Sequence, residues 1–147
     1  MRNPETRLVL VIDGQGGGIG SQLVKLLRPR LPADCELCCV GTNVLATNAM
    51  LKAGASRGAT GENAIRYNAS LADLIAGPIG VILANGIMGE VSPEMAAAIS
   101  GARAHKVLIP SATCGVHIAG AEGLRLEEYL RRAADDAVQL LTGGAPA

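Results

Sequence analysis

The 147-residue sequence predicts an α/β domain with an open, mainly parallel sheet of about five strands and helices on both faces. Short apolar runs alternate with segments of helical periodicity along the chain. The first run is rich in β-branched residues, as expected of a strand that is buried on both faces. Hydrophobic residues make up 49% of the chain and aromatic residues only 1%, which predicts a core of aliphatic side chains.

The N-terminal part of the chain predicts one strand–helix–strand unit. Residues 8–12 are a continuous apolar run, and a dense group of glycines follows them. A helix is predicted next, because apolar residues recur there at helical spacing, at Ile19, Leu23, Leu27 and Leu31. Pro29 should end this helix near Arg28, since the residue before a proline is disfavoured in helical conformation. Residues 37–40 form the second predicted strand.

The middle of the chain is less regular. A short helix is expected to run to Lys52, with Thr42 or Asn43 as its cap and Gly54 as its C-terminal stop. Residues 54–68 are polar and rich in glycine, so we predict a loop with room for one short element. Two apolar runs follow, at residues 74–76 and 81–83, and either of them can be the next strand.

The C-terminal part predicts two helices around one strand. Ser92 and Pro93 are typical of a helix start, and this helix should end near Ser100. Residues 107–109 are the last predicted strand, and residues 126–141 a terminal amphipathic helix. Because no linker or repeat divides the sequence, we expect a single domain over residues 1–147, with its core at about residues 7–141.

Composition argues against several classes of partner. The chain has 13 Lys and Arg against 13 Asp and Glu, so no net charge favours nucleic acid or an anionic membrane. The lack of aromatic residues also disfavours a base-stacking surface. No apolar run approaches the roughly 18 residues of a membrane helix, and no secretory leader is recognisable. Four cysteines in a chain of this size are not the dense set of a secreted disulfide scaffold, so we expect a cytoplasmic protein with reduced thiols.

The glycines after the first strand are the strongest functional signal. Five of the 19 glycines fall within residues 14–20, between a predicted strand and a predicted helix. Glycines let a phosphate group approach the backbone, and a helix N-terminus offers free N–H donors. We therefore predict that a nucleotide or phosphorylated small molecule binds at Gly14, Gln15, Gly16, Gly17, Gly18, Ile19 and Gly20. The alternative is a tight turn needed only for packing, and no Lys-Ser or Lys-Thr pair follows to suggest ATP hydrolysis.

The second strand gives an indication about the cofactor. A NAD site usually has a carboxylate at the end of this strand, whereas this sequence has Gly41, Thr42 and Asn43 there. NADP is therefore favoured over NAD, with Arg57 as a candidate partner for the 2′-phosphate, and a smaller phosphorylated metabolite fits as well. We expect Thr42, Asn43, Arg57 and Thr60 to complete the site.

Two side chains are candidates for a catalytic role. Cys114 precedes His117 by three positions, which invites a nucleophile–base or metal interpretation. The two side chains point to opposite faces if the segment is extended, and a packed thiol is the alternative. Glu90 is the carboxylate nearest the predicted site and a candidate acid or base, with a surface position as its alternative. No ligand set predicts a metal site.

Several longer strings of the sequence resemble one family. They are V-I-D-G-Q-G-G-G-I-G, G-T-N-x-L-A-T-x-A-M-L-K-A-G-A, R-G-A-T-G-E-N-A-I, G-P-I-G-V and K-V-L-I-P. They resemble small bacterial proteins catalogued as domain of unknown function 3842, over roughly residues 9–120. The resemblance implies a Rossmann-like domain found alone in bacteria, and marks residues 54–63 as a family feature. It implies no catalytic residues.

The glycine loop by itself also resembles the cofactor loop of short-chain dehydrogenases, with Asp13 where that family usually has threonine. The Tyr-xxx-Lys pair of that family is missing, because Leu71 follows Tyr67 and Ala133 follows Tyr129 at that spacing. Dehydrogenase chemistry of this kind is therefore not expected. Three hypotheses remain: a phosphate-ligand binder, a small enzyme that uses Cys114 or Glu90, and a non-enzymatic subunit. In the third, the helix at residues 126–141 would pair in a homodimer.

Overall fold

The computed structural model describes residues 5–111, 115–121 and 123–143. Strands and helices alternate in it as the sequence predicts. In chain order they are β1 (Arg7–Asp13), α1 (Gly18–Leu27), β2 (Cys35–Gly41), α2 (Val44–Ala53), β3 (Arg57–Thr60), α3 (Glu62–Leu71), β4 (Leu74–Pro78), a 3-10 turn (Ile79–Ile82), α4 (Pro93–Ser100), β5 (His105–Ile109) and α5 (Leu126–Leu141).

The five strands form one sheet in the order β3-β2-β1-β4-β5, and every neighbouring pair is parallel. The predicted fold class is confirmed. The chain winds from β1 to β2 and β3 on one side, and then crosses to β4 and β5 on the other. The loops that leave β1 and β4 therefore diverge, and a crevice opens between them at the carboxyl edge of the sheet.

Two apolar cores lie on the two faces of the sheet. Val9 and Val11 of β1 pack with α1, α2 and α5, whereas Leu10 and Ile12 pack with α3 and α4. This alternation follows from the two-residue repeat of a strand that is covered on both faces. The largest fully buried side chains are Leu, Ile and Met, as the scarcity of aromatic residues predicts.

Helix α5 is packed against the domain's own core. Its apolar stripe is buried there, at Leu130, Ala133, Ala134, Ala137 and Leu141. This apolar face is therefore not free to pair with a second copy, because α1 and β5 of the same chain cover it. Leu126, at the start of the helix, stays 42% exposed. None of the helices in the described part of the chain has the length and apolar character that a membrane span requires.

The middle of the chain differs from the prediction. Residues 54–68 are not a loop, since they contain β3 and most of α3. Strand β3 has four residues at the sheet edge and no apolar run, and α3 buries only Ile65 and Ala69, so neither carries a strong hydrophobic pattern. Of the two apolar runs that follow, the first is strand β4 and the second belongs to the 3-10 turn.

Candidate functional site

A cleft of about 710 Å³ opens at the carboxyl edge of the sheet, where β1 and β4 diverge. Three loops surround it, those that follow β1, β4 and β5. The lining residues are 13–19, Pro78, Gly80, 83–88 and Ser111. Ligands of open parallel sheets bind at this position, because the diverging loops leave space beyond the strand ends.

Three glycines of the loop after β1 are required by packing. A Cβ atom on Gly14 would lie 2.8 Å from the Thr42 hydroxyl oxygen, and one on Gly20 would lie 2.6 Å from the Met50 sulfur. Gly17 caps α1 with φ 71°, a left-handed conformation, and its Cβ would meet the Ala46 backbone at 2.9 Å. The alternative interpretation of the loop, a tight turn, explains these glycines.

Packing does not explain the other two glycines. A Cβ atom on Gly16 or Gly18 would meet no atom within 4 Å, and both residues are exposed and line the cleft. Gly18 is the first residue of α1, so its N–H is one of the free donors of a helix N-terminus. No hydrogen-bond partner for either N–H is found in the described part of the chain.

Asp13 places a buried carboxylate at the start of α1. The side chain is 5% exposed, and its two oxygens accept hydrogen bonds of 2.7 Å from the N–H groups of Gly14 and Gly20. Burial raises the pKa of the Asp13 carboxyl above its ordinary value, while these N–H groups act in the opposite direction. The N–H groups of Gly14 and Gly20 at the start of the helix are therefore already paired with a carboxyl group of the chain.

Glu90 joins three loops through one oxygen atom. Its Oε1 accepts hydrogen bonds from the Thr42 hydroxyl at 2.5 Å, the Asn43 amide at 2.9 Å and the Gln15 N–H at 3.0 Å. The bond from Thr42 does most to lower the pKa of Glu90, and those from Gln15 and Asn43 add to it. We call these four residues the Glu90 latch. An ionised acceptor of this kind holds the loops together and is poorly suited to donate a proton.

The latch places a carboxylate beside the end of β2, where the sequence has none. Glu90 lies 48 positions along the chain from Thr42, in the segment between the 3-10 turn and α4. Sequence reasoning identified Glu90 as a candidate acid or base but missed this placement. No local spacing signals it, because the contacts join residues 47 and 48 positions apart in the chain.

The segment that contains Glu90 has an unusual backbone. Asn85, Ile87, Met88 and Gly89 all have positive φ, at 61°, 54°, 56° and 87°. Ile87 is β-branched, and such a side chain rarely adopts this conformation. Its Cγ2 atom lies 3.2 Å from the position that a Cβ on Gly14 would take, so Ile87 packs against the glycine loop. Met88 is 90% exposed at the rim, and the segment forms an apolar wall of the cleft.

The predicted site residues separate into two groups. The glycine loop lines the cleft, and Thr42 and Asn43 adjoin it through the latch, with Asn43 also capping α2. Thr60 is exposed but does not line the cleft, and its hydroxyl oxygen lies 2.7 Å from that of Thr47. Arg57 is paired with Glu36 at 2.6 Å. It aligns with Cys38 in the middle of β2, so the structure does not bring it to the glycine loop.

The preference for NADP over NAD therefore has no geometric basis at Arg57. The second chemical candidate, Cys114, lies outside the described residues. Within those residues, no group of three or more His, Cys, Asp or Glu side chains is placed to hold a metal ion.

A comparison with protein-family models decides the family. The model of the domain of unknown function DUF3842 matches residues 8–142, nearly the whole chain. This chain belongs to that family. The resemblance found in the sequence is thereby confirmed. A search of curated proteins finds no match.

Two solved structures resemble the domain at low sequence identity. One is a dodecameric FMN-dependent UbiX-like decarboxylase from Escherichia coli O157:H7, with 14% identity and a TM-score of 0.49 over 94% of this chain and 95% of that chain. The other is AibC, with 16% identity and a TM-score of 0.47 over 97% of this chain and 44% of AibC.

Proposed function

We propose that this domain binds a nucleotide or another small molecule with a phosphate group in the cleft between the β1 and β4 loops. The observation that carries the proposal is the open space at Gly16 and Gly18. A glycine that packing does not require, with a free N–H beside a cleft, is suited to the close approach of a ligand.

The cleft offers a different surface to each end of such a ligand. The phosphate would lie against the N–H groups of Gly16 and Gly18, at the N-terminus of α1. The organic part would lie along the apolar wall at residues 83–88. A volume of about 710 Å³ is within the range of small-molecule sites. The Glu90 latch would support the bound state by fixing the glycine loop against the end of β2.

Gly18→Asp tests the proposal, because it separates folding from binding. The new Cβ meets no atom, so the variant should fold. The favourable position of a carboxylate in the first helical turn opposes its repulsion by Asp13, so thermal stability should change little. The same carboxylate would repel a phosphate group at the cleft. Isothermal titration with NAD, NADP, ATP, FMN and sugar phosphates should find a ligand of the wild type that this variant no longer binds.

Asn63→Asp is the matched control. It adds the same charge to the first turn of another helix, α3, at an exposed position that does not line the cleft. It should bind as the wild type does. The proposal fails if the wild type binds none of the phosphate compounds, or if Gly18→Asp and Asn63→Asp bind equally well.

A further inference from the structure

The chain's own acceptors occupy most of the N–H donors of the glycine loop. Asp13 accepts from Gly14 and Gly20, and Glu90 accepts from Gln15. The N–H of Gly17 bonds to the Gly14 carbonyl at 2.9 Å. The N–H of Ile19 is also directed at Asp13 and lowers the pKa of its carboxyl. Those of Gly16 and Gly18 therefore remain for a ligand. Two donors are few for a phosphate group that carries two or more negative charges.

The described residues that line the cleft supply no side-chain cation to offset such a charge. Among the described residues that line it there is no Lys or Arg, and Asp13 is the only acidic one. Glu90 adds a second negative charge beside the loop, since its Oε1 accepts a hydrogen bond of 3.0 Å from the N–H of Gln15, the neighbour of Gly16. The α1 macrodipole contributes only about half of a positive charge, which Asp13 already offsets.

We infer that Asp13 and Glu90 determine which ligand charge the cleft accepts, and that they select a singly charged phosphate group over a dianionic one. The inference rests on the proposed function and narrows its ligand class to phosphodiesters and singly protonated phosphate monoesters. The physical reason is Coulombic repulsion, because each additional negative charge at Gly16 and Gly18 is repelled by the two carboxylates that bind the nearby N–H groups of Gln15 and Gly20.

Glu90→Gln is a clean variant for testing this role. All three hydrogen bonds of the latch converge on Oε1, and a glutamine amide oxygen can accept them in the same place. The variant therefore removes the charge and keeps the loops joined. Glu94→Gln is the matched control, since it removes the same charge from an exposed residue in the first turn of α4, outside the cleft.

The experiment follows the backbone amide signals of Gly16 and Gly18 by NMR during titration with inorganic phosphate, below and above its second ionisation. Sulfate is titrated at the same two pH values as a control, because it stays doubly charged at both. A change in its affinity between them would therefore report a change in the protonation of Asp13 or Glu90. In the wild type, phosphate should bind more tightly in its singly charged form than in its doubly charged form. Glu90→Gln should bind sulfate on the order of tenfold more tightly than the wild type does, and Glu94→Gln should not.

Two results would overturn the inference. The first contradicts charge selection alone, and the second contradicts the proposed binding function as well. If doubly charged phosphate and sulfate bind the wild type as tightly as singly charged phosphate, or if Glu90→Gln and Glu94→Gln behave alike, binding stands and charge selection is removed. If no anion moves the Gly16 and Gly18 signals in either protein, the proposed function fails as well.

Discussion

Individual glycines in this domain differ in whether the surrounding atoms leave space for a side chain. Gly77 lies in β4, and a Cβ atom there would come within 2.2 Å of the backbone oxygen of Ile12 in the neighbouring strand. At Gly16 a Cβ atom would meet nothing within 4 Å. Both residues occur in glycine-containing strings that the sequence singles out, yet one is a packing requirement and the other a free surface.

Gly77→Ala should therefore destabilise the fold, and Gly16→Ala should not. We expect the free energy of unfolding to fall by about 1–3 kcal/mol or more for Gly77→Ala, because a backbone atom cannot rotate away from the added methyl group. For Gly16→Ala the change should stay within about 0.5 kcal/mol. Urea unfolding of both variants measures the difference, and equal stabilities would contradict this account of Gly77.

The thiol of Cys39 should be inert in the folded protein. Its side chain is 1% exposed, and burial raises its pKa to about 11, so almost no thiolate forms at neutral pH. Mass spectrometry after brief alkylation should find Cys39 unlabelled in native protein and labelled in urea. The more accessible Cys35 serves as the internal comparison, and native labelling of both at one rate would show that β2 is not packed as described.

Secondary-structure elements could be predicted where they bury a continuous apolar face. Strand β1 and helices α1, α4 and α5 were predicted close to their observed bounds, because each carries a run or a stripe of apolar residues. Strand β3 could not be predicted, since an edge strand of four residues buries little and so leaves no pattern. The predicted end of α1 at Arg28 is also observed, as its C-cap.

The N-cap at the start of α4 allows a test of how much one helix terminus contributes to stability. Ser92 caps the helix by accepting a hydrogen bond of 3.1 Å from the N–H of Met95, and its hydroxyl also donates to Glu62 of α3. Ser92→Ala should lower the free energy of unfolding by about 0.5–2 kcal/mol, the usual cost of losing an N-cap. Ser92→Thr keeps the hydroxyl and should retain most of the stability in thermal unfolding. A Thr variant as unstable as the Ala variant would rule out the capping explanation.

At the carboxyl edge of the sheet, Asp13 holds the glycine loop and Glu90 connects it to the end of β2, and the two carboxyl groups respond oppositely to pH. The folded-state pKa of Glu90 is lowered, so its ionised form stabilises the fold above its unfolded pKa, and this contribution is lost as the pH falls through the folded value. The folded-state pKa of Asp13 is raised, so folding is disfavoured once the pH rises past its unfolded value towards its folded value.

The stability of the Glu90→Gln variant should therefore fall less than that of the wild type as the solution is acidified. Urea midpoints between about pH 3 and pH 7 measure the effect, because the variant has no carboxylate to protonate at the latch. Glu94→Gln should follow the wild-type curve. Parallel curves for the wild type and Glu90→Gln would show that the latch does not depend on the charge of Glu90.

The sequence by itself determined the class of the fold, the aliphatic core, the glycine loop at a helix start and the resemblance to the DUF3842 family. These features are local, because they depend on runs, periods and strings of neighbouring residues. Only the tertiary structure decided the strand order, the burial of α5, the pairing of Arg57 with Glu36 and the contact between Glu90 and the end of β2. Such contacts join residues far apart in the chain, and they follow from how helices pack on the sheet, which no local pattern records.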